Sequence, residues 1–239
     1  MTWSIIARDD SGAFGIAIAS RFFAVGALCP HVRSAIGAVS TQALVNPLYG
    51  ASALEDLAGG LDPAQVVARL TGLDEGQSHR QLHMIDNHGR VAAHTGSACI
   101  DWCGHTSGPG FSVAGNMLAG PQVIAETALA YQDNSALPFG ARLIAALAAG
   151  EAAGGDKRGK QAAALLVYTS EDYPALDIRV DDHAEPVEEL LRLHQISRER
   201  FQPFSAFLPS RKLPAGVTDR TLIEAGIERF HAGHGGAGL

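Results

Sequence analysis

Basic residues are scarce in this 239-residue chain, where 18 Lys and Arg stand against 25 Asp and Glu for a formal net charge of −7. No basic run is interleaved with aromatics, and the longest is the short stretch Asp156-Lys157-Arg158-Gly159-Lys160. Nucleic acid is therefore not an expected partner. Long apolar runs are also missing: no uninterrupted segment approaches the roughly 20 residues that a membrane span needs. The N-terminus lacks the basic and then apolar order of a secretory signal, so the expectation is a cytoplasmic protein with no membrane partner. Cysteine is sparse, and Cys29, Cys99 and Cys103 are an odd number, which fits reduced thiols better than a disulfide framework. What the chain does have is 46% hydrophobic residues, enough to fill a substantial core.

Thr2 stands directly behind Met1 and opens an apolar run to Arg8 that reads as a β-strand. If Met1 is removed, one residue offers both a hydroxyl and a free α-amine, and the amine can serve as base for its own side chain. An α-amine titrates at roughly 7.7 to 8, which suits proton abstraction at neutral pH. Asp9-Asp10-Ser11-Gly12-Ala13 favours a turn, and Phe14–Ser20 is a second β-prone run. A hairpin centred on Ser11 pairs residues whose numbers sum to 22, so Thr2 faces Ser20. Arg21 then falls beside Thr2, where a cation would hold an anionic substrate or lower the pKa of the amine.

Further along, Ser34–Gln42 predicts a third strand after a connection containing Cys29-Pro30-His31-Val32-Arg33. Asn46-Pro47 and Asp62-Pro63 announce two helices, the first over Leu48–Gly59. Gln81–Asp86 and Arg90–Thr95 flank the turn Asn87-His88-Gly89 as a second hairpin. Strand Phe111–Leu118, helices Gln122–Gln132 and Phe139–Ala153, strands Ala162–Ser170 and Leu176–Val180, and helix Pro186–Arg200 complete the series. This order suits an α+β layer protein rather than an alternating parallel sheet.

Several segments together resemble a known family: Thr2-Trp3-Ser4-Ile5-Ile6-Ala7, Ala19-Ser20-Arg21-Phe22-Phe23-Ala24-Val25-Gly26, Ala98-Cys99-Ile100-Asp101-Trp102, Gly115-Asn116-Met117-Leu118-Ala119-Gly120 and Gly154-Gly155-Asp156-Lys157-Arg158-Gly159. Over residues 2 to about 200 the chain is similar to the bacterial domain-of-unknown-function family 1028. The resemblance implies an Ntn-hydrolase-like fold, a four-layer αββα sandwich of two stacked antiparallel sheets covered by helices. It also implies Thr2 as the nucleophile, a backbone oxyanion donor near Gln42 and Ala43, and a side-chain amide from Asn116. Where such enzymes often carry a lysine, this chain has Arg33 and Ser34, which leaves Arg33 or Arg21 to supply the charge that tunes the amine.

The Gly154–Lys160 loop lacks Walker spacing and reads either as a tight connection or as a wall of the site mouth carrying Asp156 and Lys157. Cys99, Cys103 and His105 hold metal-ligand residue types without a strong zinc spacing. His79 and His83, like His231 and His234, support no metal, and no cofactor is called for. Residues 1–203 are expected to form the main domain, with 204–239 an extension of one short helix, about Thr218–Phe230, and a mobile Gly-rich tail. The leading function is a hydrolase cleaving an amide-type bond of a small metabolite. The alternatives are a non-catalytic metabolite-binding protein on the same fold and a thiol- or metal-dependent enzyme centred on Cys99, Cys103 and His105. A homodimer is the default assembly.

Overall fold

Thr2–Arg8 (β1) and Phe14–Ser20 (β2) form the expected hairpin in the computed structural model, with Thr2 opposite Ser20 and Arg8 opposite Phe14. Asp9 closes the turn, its Oδ1 accepting from Ser11 N, Ser11 Oγ and Ala13 N. The structure describes residues 2–234. Met1, on which initiator removal depends, and 235–239, the glycine-rich tail, lie outside them, as does the His234 side chain.

The remaining elements follow in chain order. They are Pro30–Arg33 (β3), Gly37–Ala43 (β4), Leu48–Ala58 (α1), Pro63–Leu73 (α2), Arg80–Asp86 (β5), Val91–Thr95 (β6), Gly104–Gly108 (β7) and Phe111–Asn116 (β8). After these come Gln122–Asp133 (α3), Phe139–Ala152 (α4), Ala162–Tyr168 (β9), Leu176–Val180 (β10), Pro186–Ser197 (α5), Phe201–Ser205 (α6) and Arg220–His234 (α7). Two differences from the sequence reading stand out. The predicted third strand Ser34–Gln42 starts later, at Gly37, because a tight turn with Ala35 in the left-handed region (φ 60°) occupies its first residues, and the connection before it is itself a strand, Pro30–Arg33. Strand β7 was unforeseen: Gly104-His105-Thr106-Ser107-Gly108 is polar and glycine-flanked, as an edge strand can be.

All paired strands are antiparallel. One sheet has the order β10-β9-β2-β1-β8-β7 and the other β3-β4-β5-β6. Strand β1 is therefore central, flanked by β2 and β8, so Thr2 has Ser20 on one side and Asn116 on the other. Alternation along β1 sends Trp3, Ile5 and Ala7 to one face and Thr2, Ser4 and Ile6 to the other. The first face receives α3 and α4, and the second meets the other sheet, which carries α1 and α2 on its far side. Ile6, Phe14, Ile16, Ala38 and Ile85 pack between the sheets as one apolar cluster, each large side chain contributing about 1.5–3 kcal/mol. Helix α2 starts where Asp62 dictates: its carboxylate accepts from Gln65 N and Gln65 Oε1 accepts from Asp62 N, both at 2.9 Å, with Pro63 in the first turn.

The chain divides into two compact units, residues 1–191 and 192–239, the division falling within α5. In the second unit Phe207 lies against Gly226 of α7, and Arg200 pairs with Glu224. No helix among the described residues is long and apolar enough to cross a membrane.

Candidate active site

Polar residues recur on the inter-sheet face of four strands, two positions apart as Thr2 and Ser4, Ser40 and Gln42, and Gln81 and His83, and four apart as Ser112 and Asn116. All eight are buried. Such groups persist inside a core only when hydrogen-bonded, and here they bond one another across the two sheets.

The centre of this network is Gln81. Its Oε1 accepts from Gln42 Nε2 at 2.8 Å and from Asn116 Nδ2 at 3.0 Å. Its Nε2 donates to Gly115 O, Thr95 Oγ1 and Gly104 O at 2.8, 2.9 and 3.1 Å. The amide of Gln42 is thereby fixed, because its Nε2 also donates to Ala114 O at 3.2 Å, leaving Oε1 turned toward Ser4. Ser4 has one proton and gives it to Gln42 Oε1 at 2.8 Å, so Ser4 Oγ must accept from His83 Nε2, also at 2.8 Å. His83 Nδ1 then accepts from Ser112 Oγ at 3.1 Å. The longer 3.3 Å approach of Ser112 Oγ to Thr106 O is a weaker shared contact. Burial pushes the His83 pKa down to about 3, so the ring is neutral and acts as a fixed donor.

Thr2 caps this network at the strand end. Its Oγ1 donates to Ser20 Oγ at 3.1 Å, and its carbonyl lies 3.4 Å from Asn116 Nδ2 and 3.5 Å from Gln42 Nε2. Thr2, Ser20, Asn116 and Gln42 are therefore gathered into one site. The side-chain amide expected of Asn116 is already committed, its Nδ2 donating to Gln81 Oε1 and approaching Thr2 O, and the Gln42 side-chain nitrogen is likewise held by Gln81 Oε1 and Ala114 O. Ala43 and Met117, the residues directly after Gln42 and Asn116, both adopt left-handed backbone with φ 70° and 52°. That conformation costs a non-glycine residue on the order of 1 kcal/mol. Both line a pocket of about 210 Å³ with Leu44, His79, Ile100 and Asn116.

On the other flank, the Gly154–Lys160 loop docks onto the ends of β2 and β8. Asp156 Oδ2 accepts from Arg21 N at 2.8 Å, and Asp156 Oδ1 accepts from Arg158 N at 2.8 Å. Asp156 also bridges Leu118 through backbone pairing. Its carboxylate thus ties the loop to the end of β2 while accepting one of the loop's own N–H groups, and the Gly154, Gly155 and Gly159 N–H groups donate to main-chain oxygens. The Arg21 guanidinium reaches Arg158 O at 2.7 Å and Lys157 Nζ reaches Asp101 O at 2.6 Å. Both cations serve to anchor the loop beside Ser20. Arg33 is misplaced in the sequence reading. It pairs with Gly37, five residues from Gln42 along β4 and so about 17 Å from the site end.

The Cys99, Cys103 and His105 cluster does not converge. Cys99 Sγ donates to Arg80 O, Cys103 Sγ approaches Cys99 O and Asp101 Oδ1, and His105 Nδ1 bonds Thr95 Oγ1. Among the described residues no three metal-ligand side chains group together. Burial raises the Cys99 thiol above its usual pKa and takes Cys103 to about 11, so both are protonated at neutral pH and weakly nucleophilic.

The sequence reading missed Gln81, His83, Ser4 and Ser112. The signal that could have found them is the even spacing, two or four residues, of polar side chains within otherwise apolar strands.

Comparison with known proteins adds the family. The family of unknown function DUF1028 matches residues 2–190, which coincide with the first compact unit. The chain belongs to DUF1028. Protein SPO2555 from Silicibacter pomeroyi, a DUF1028 crystal structure, is similar to it with a TM-score of 0.85 at 31% identity, over 92% of this chain and 96% of that one. Among curated proteins no relative matches. For this DUF1028 chain, three of the segments singled out in sequence now have places: Ala19–Gly26 ends β2 and runs on beyond it, Ala98–Trp102 precedes β7, and Gly115–Gly120 carries Asn116 into the pocket wall.

Proposed function

We propose that this DUF1028 chain is an N-terminal-nucleophile hydrolase that cleaves an amide-type bond of a small metabolite, with Thr2 as the nucleophile once Met1 is removed. The two stacked sheets with α1, α2 on one side and α3, α4 on the other read as the four-layer αββα sandwich of that class. In the reaction, the Thr2 amine takes the Oγ1 proton, Oγ1 attacks the amide carbon, and the ammonium returns the proton to the leaving amine. Water then hydrolyses the ester. The observation that carries the reading is the Thr2 hydroxyl at a strand end between Ser20 and Asn116, on a central strand whose neighbours are fixed by the buried network. The adjoining 210 Å³ pocket is lined by Leu44, Ile100, Ala98 and Met117 and by no Lys, Arg, Asp or Glu, which favours a small substrate that is neutral and partly apolar at the scissile end.

One observation favours a second reading, a non-catalytic metabolite-binding protein: the amide nitrogens of Asn116 and Gln42 are already hydrogen-bonded internally. Intact mass spectrometry of natively expressed protein before and after a β-lactone electrophile separates the two. The hydrolase reading expects loss of the Met1 mass and a single adduct that Thr2→Ala abolishes. Protein that turns over a substrate with Met1 attached, or an adduct that survives Thr2→Ala, refutes it, and Met1 retention with no adduct supports the binding protein.

A further inference from the structure

A second cavity lies at the other end of β1 from Thr2, six residues or about 20 Å away. It is a cleft of about 560 Å³ between the β1–β2 turn, the Pro109 turn and the α3–α4 connection. Phe111, Tyr131, Leu137 and Phe139 give it an apolar wall, with the Phe111 and Tyr131 rings 5.1 Å apart.

Two arginines line this cleft, and neither is ion-paired among the described residues. Arg142 lies 3.7 Å over the Tyr131 ring and spends Nε on Tyr131 O at 2.6 Å. Its terminal nitrogens have no acceptor among the described residues. Arg8 makes one contact, Nη1 to Asp9 O at 3.3 Å, while its Nε is shielded from solvent without any acceptor. Guanidinium groups match carboxylates through paired N–H donors, so two that keep uncommitted N–H groups in one cleft suit a carboxylate. Two acids stand at the rim. Asp9 is occupied by the turn, as described, but Asp10 is exposed and makes no hydrogen bond among the described residues. The formal charge of the four groups is zero, which disfavours a simple polyanion and suits a ligand bearing both signs.

We propose that this cleft binds a small zwitterion, an α-amino acid with a bulky apolar side chain. Its carboxylate is held by Arg8 and Arg142, its ammonium by Asp10, and its side chain by the wall of Phe111, Tyr131 and Phe139. The site is separate from the one containing Thr2 and does not depend on the hydrolase reading.

Isothermal titration of the full chain with L-phenylalanine, 3-phenylpropionate and 2-phenylethylamine tests it. Phenylalanine is expected to bind saturably, 3-phenylpropionate about tenfold more weakly, and 2-phenylethylamine not at all. Arg8→Gln and Arg142→Lys are each expected to weaken phenylalanine binding by about tenfold or more. Because either could disturb packing, Asp10→Asn on the exposed rim is the decisive variant: it should lower the affinity for phenylalanine while leaving that for 3-phenylpropionate unchanged. Absence of saturable phenylalanine binding overturns the proposal. So does equal affinity for the two carboxylates, or an Asp10→Asn variant indistinguishable from the parent.

Discussion

Gln81→Leu removes the residue that joins the two sheets beneath Thr2. Its side chain makes five hydrogen bonds and is fully buried. Not all five losses are equal. Gln42 Nε2 keeps Ala114 O, and Thr95 Oγ1 keeps His105 Nδ1. Asn116 Nδ2 is left with only a 3.4 Å approach to Thr2 O, and the Gly104 and Gly115 carbonyls lose their side-chain donor. Two to three under-satisfied buried groups at about 1–3 kcal/mol each, partly offset by leucine's favourable burial, give a loss of about 4 kcal/mol. At about 2–4 °C per kcal/mol for a domain of this size, the midpoint of thermal unfolding falls by about 12 °C. Circular dichroism melts of parent and variant measure it. Gln81→Glu should melt lower still, since its carboxylate would face the Gly104 and Gly115 oxygens. A Gln81→Leu midpoint within about 3 °C of the parent would refute the view that this amide is the keystone of the inter-sheet network.

The neutral His83 ring makes stability depend on pH. Its folded pKa of about 3 lies below the unfolded value of 6.5, so its contribution is complete above pH 6.5 and is lost progressively as pH falls toward 3. The loss is on the order of 4 kcal/mol. Urea titrations across that range should show His83→Gln less stable at pH 7 but with a flatter acid limb, and an unchanged slope would remove His83 as its source. Gly150→Ala should destabilise the first unit by about 1–3 kcal/mol, because the added methyl would meet Thr127 Oγ1 at 2.2 Å and Trp3 Nε1 at 2.7 Å beneath α4. A midpoint equal to the parent's would show that α4 can shift to make room.

Turn chemistry and alternation were legible because they are local. The Asp9–Ala13 turn fixed the β1–β2 register, and with it the pairing of Thr2 and Ser20, since a shift by one residue would send Ile6 and Ile16 out of the core. The Asp62-Pro63 helix start was equally plain, because its capping groups are three residues apart. The turn at Ala35 that delays β4 was not, since a left-handed alanine has no sequence mark, and the polar edge strand β7 was hidden for want of an apolar side.

By itself, then, the chain determined its longer helices, most of its strands and the position of Thr2 at a strand start, while the short α6 at Phe201–Ser205 went unread. Only the tertiary structure decided that β1 is central, that Asn116 lies opposite Thr2 across 114 residues of chain, and that Gln81 ties both to Gln42. It also separated Arg33 from the site and set Arg8 and Arg142 on the walls of one cleft. These are pairings between strands and helices distant in sequence, set by which faces can be buried together, and no local pattern encodes the partner of a face.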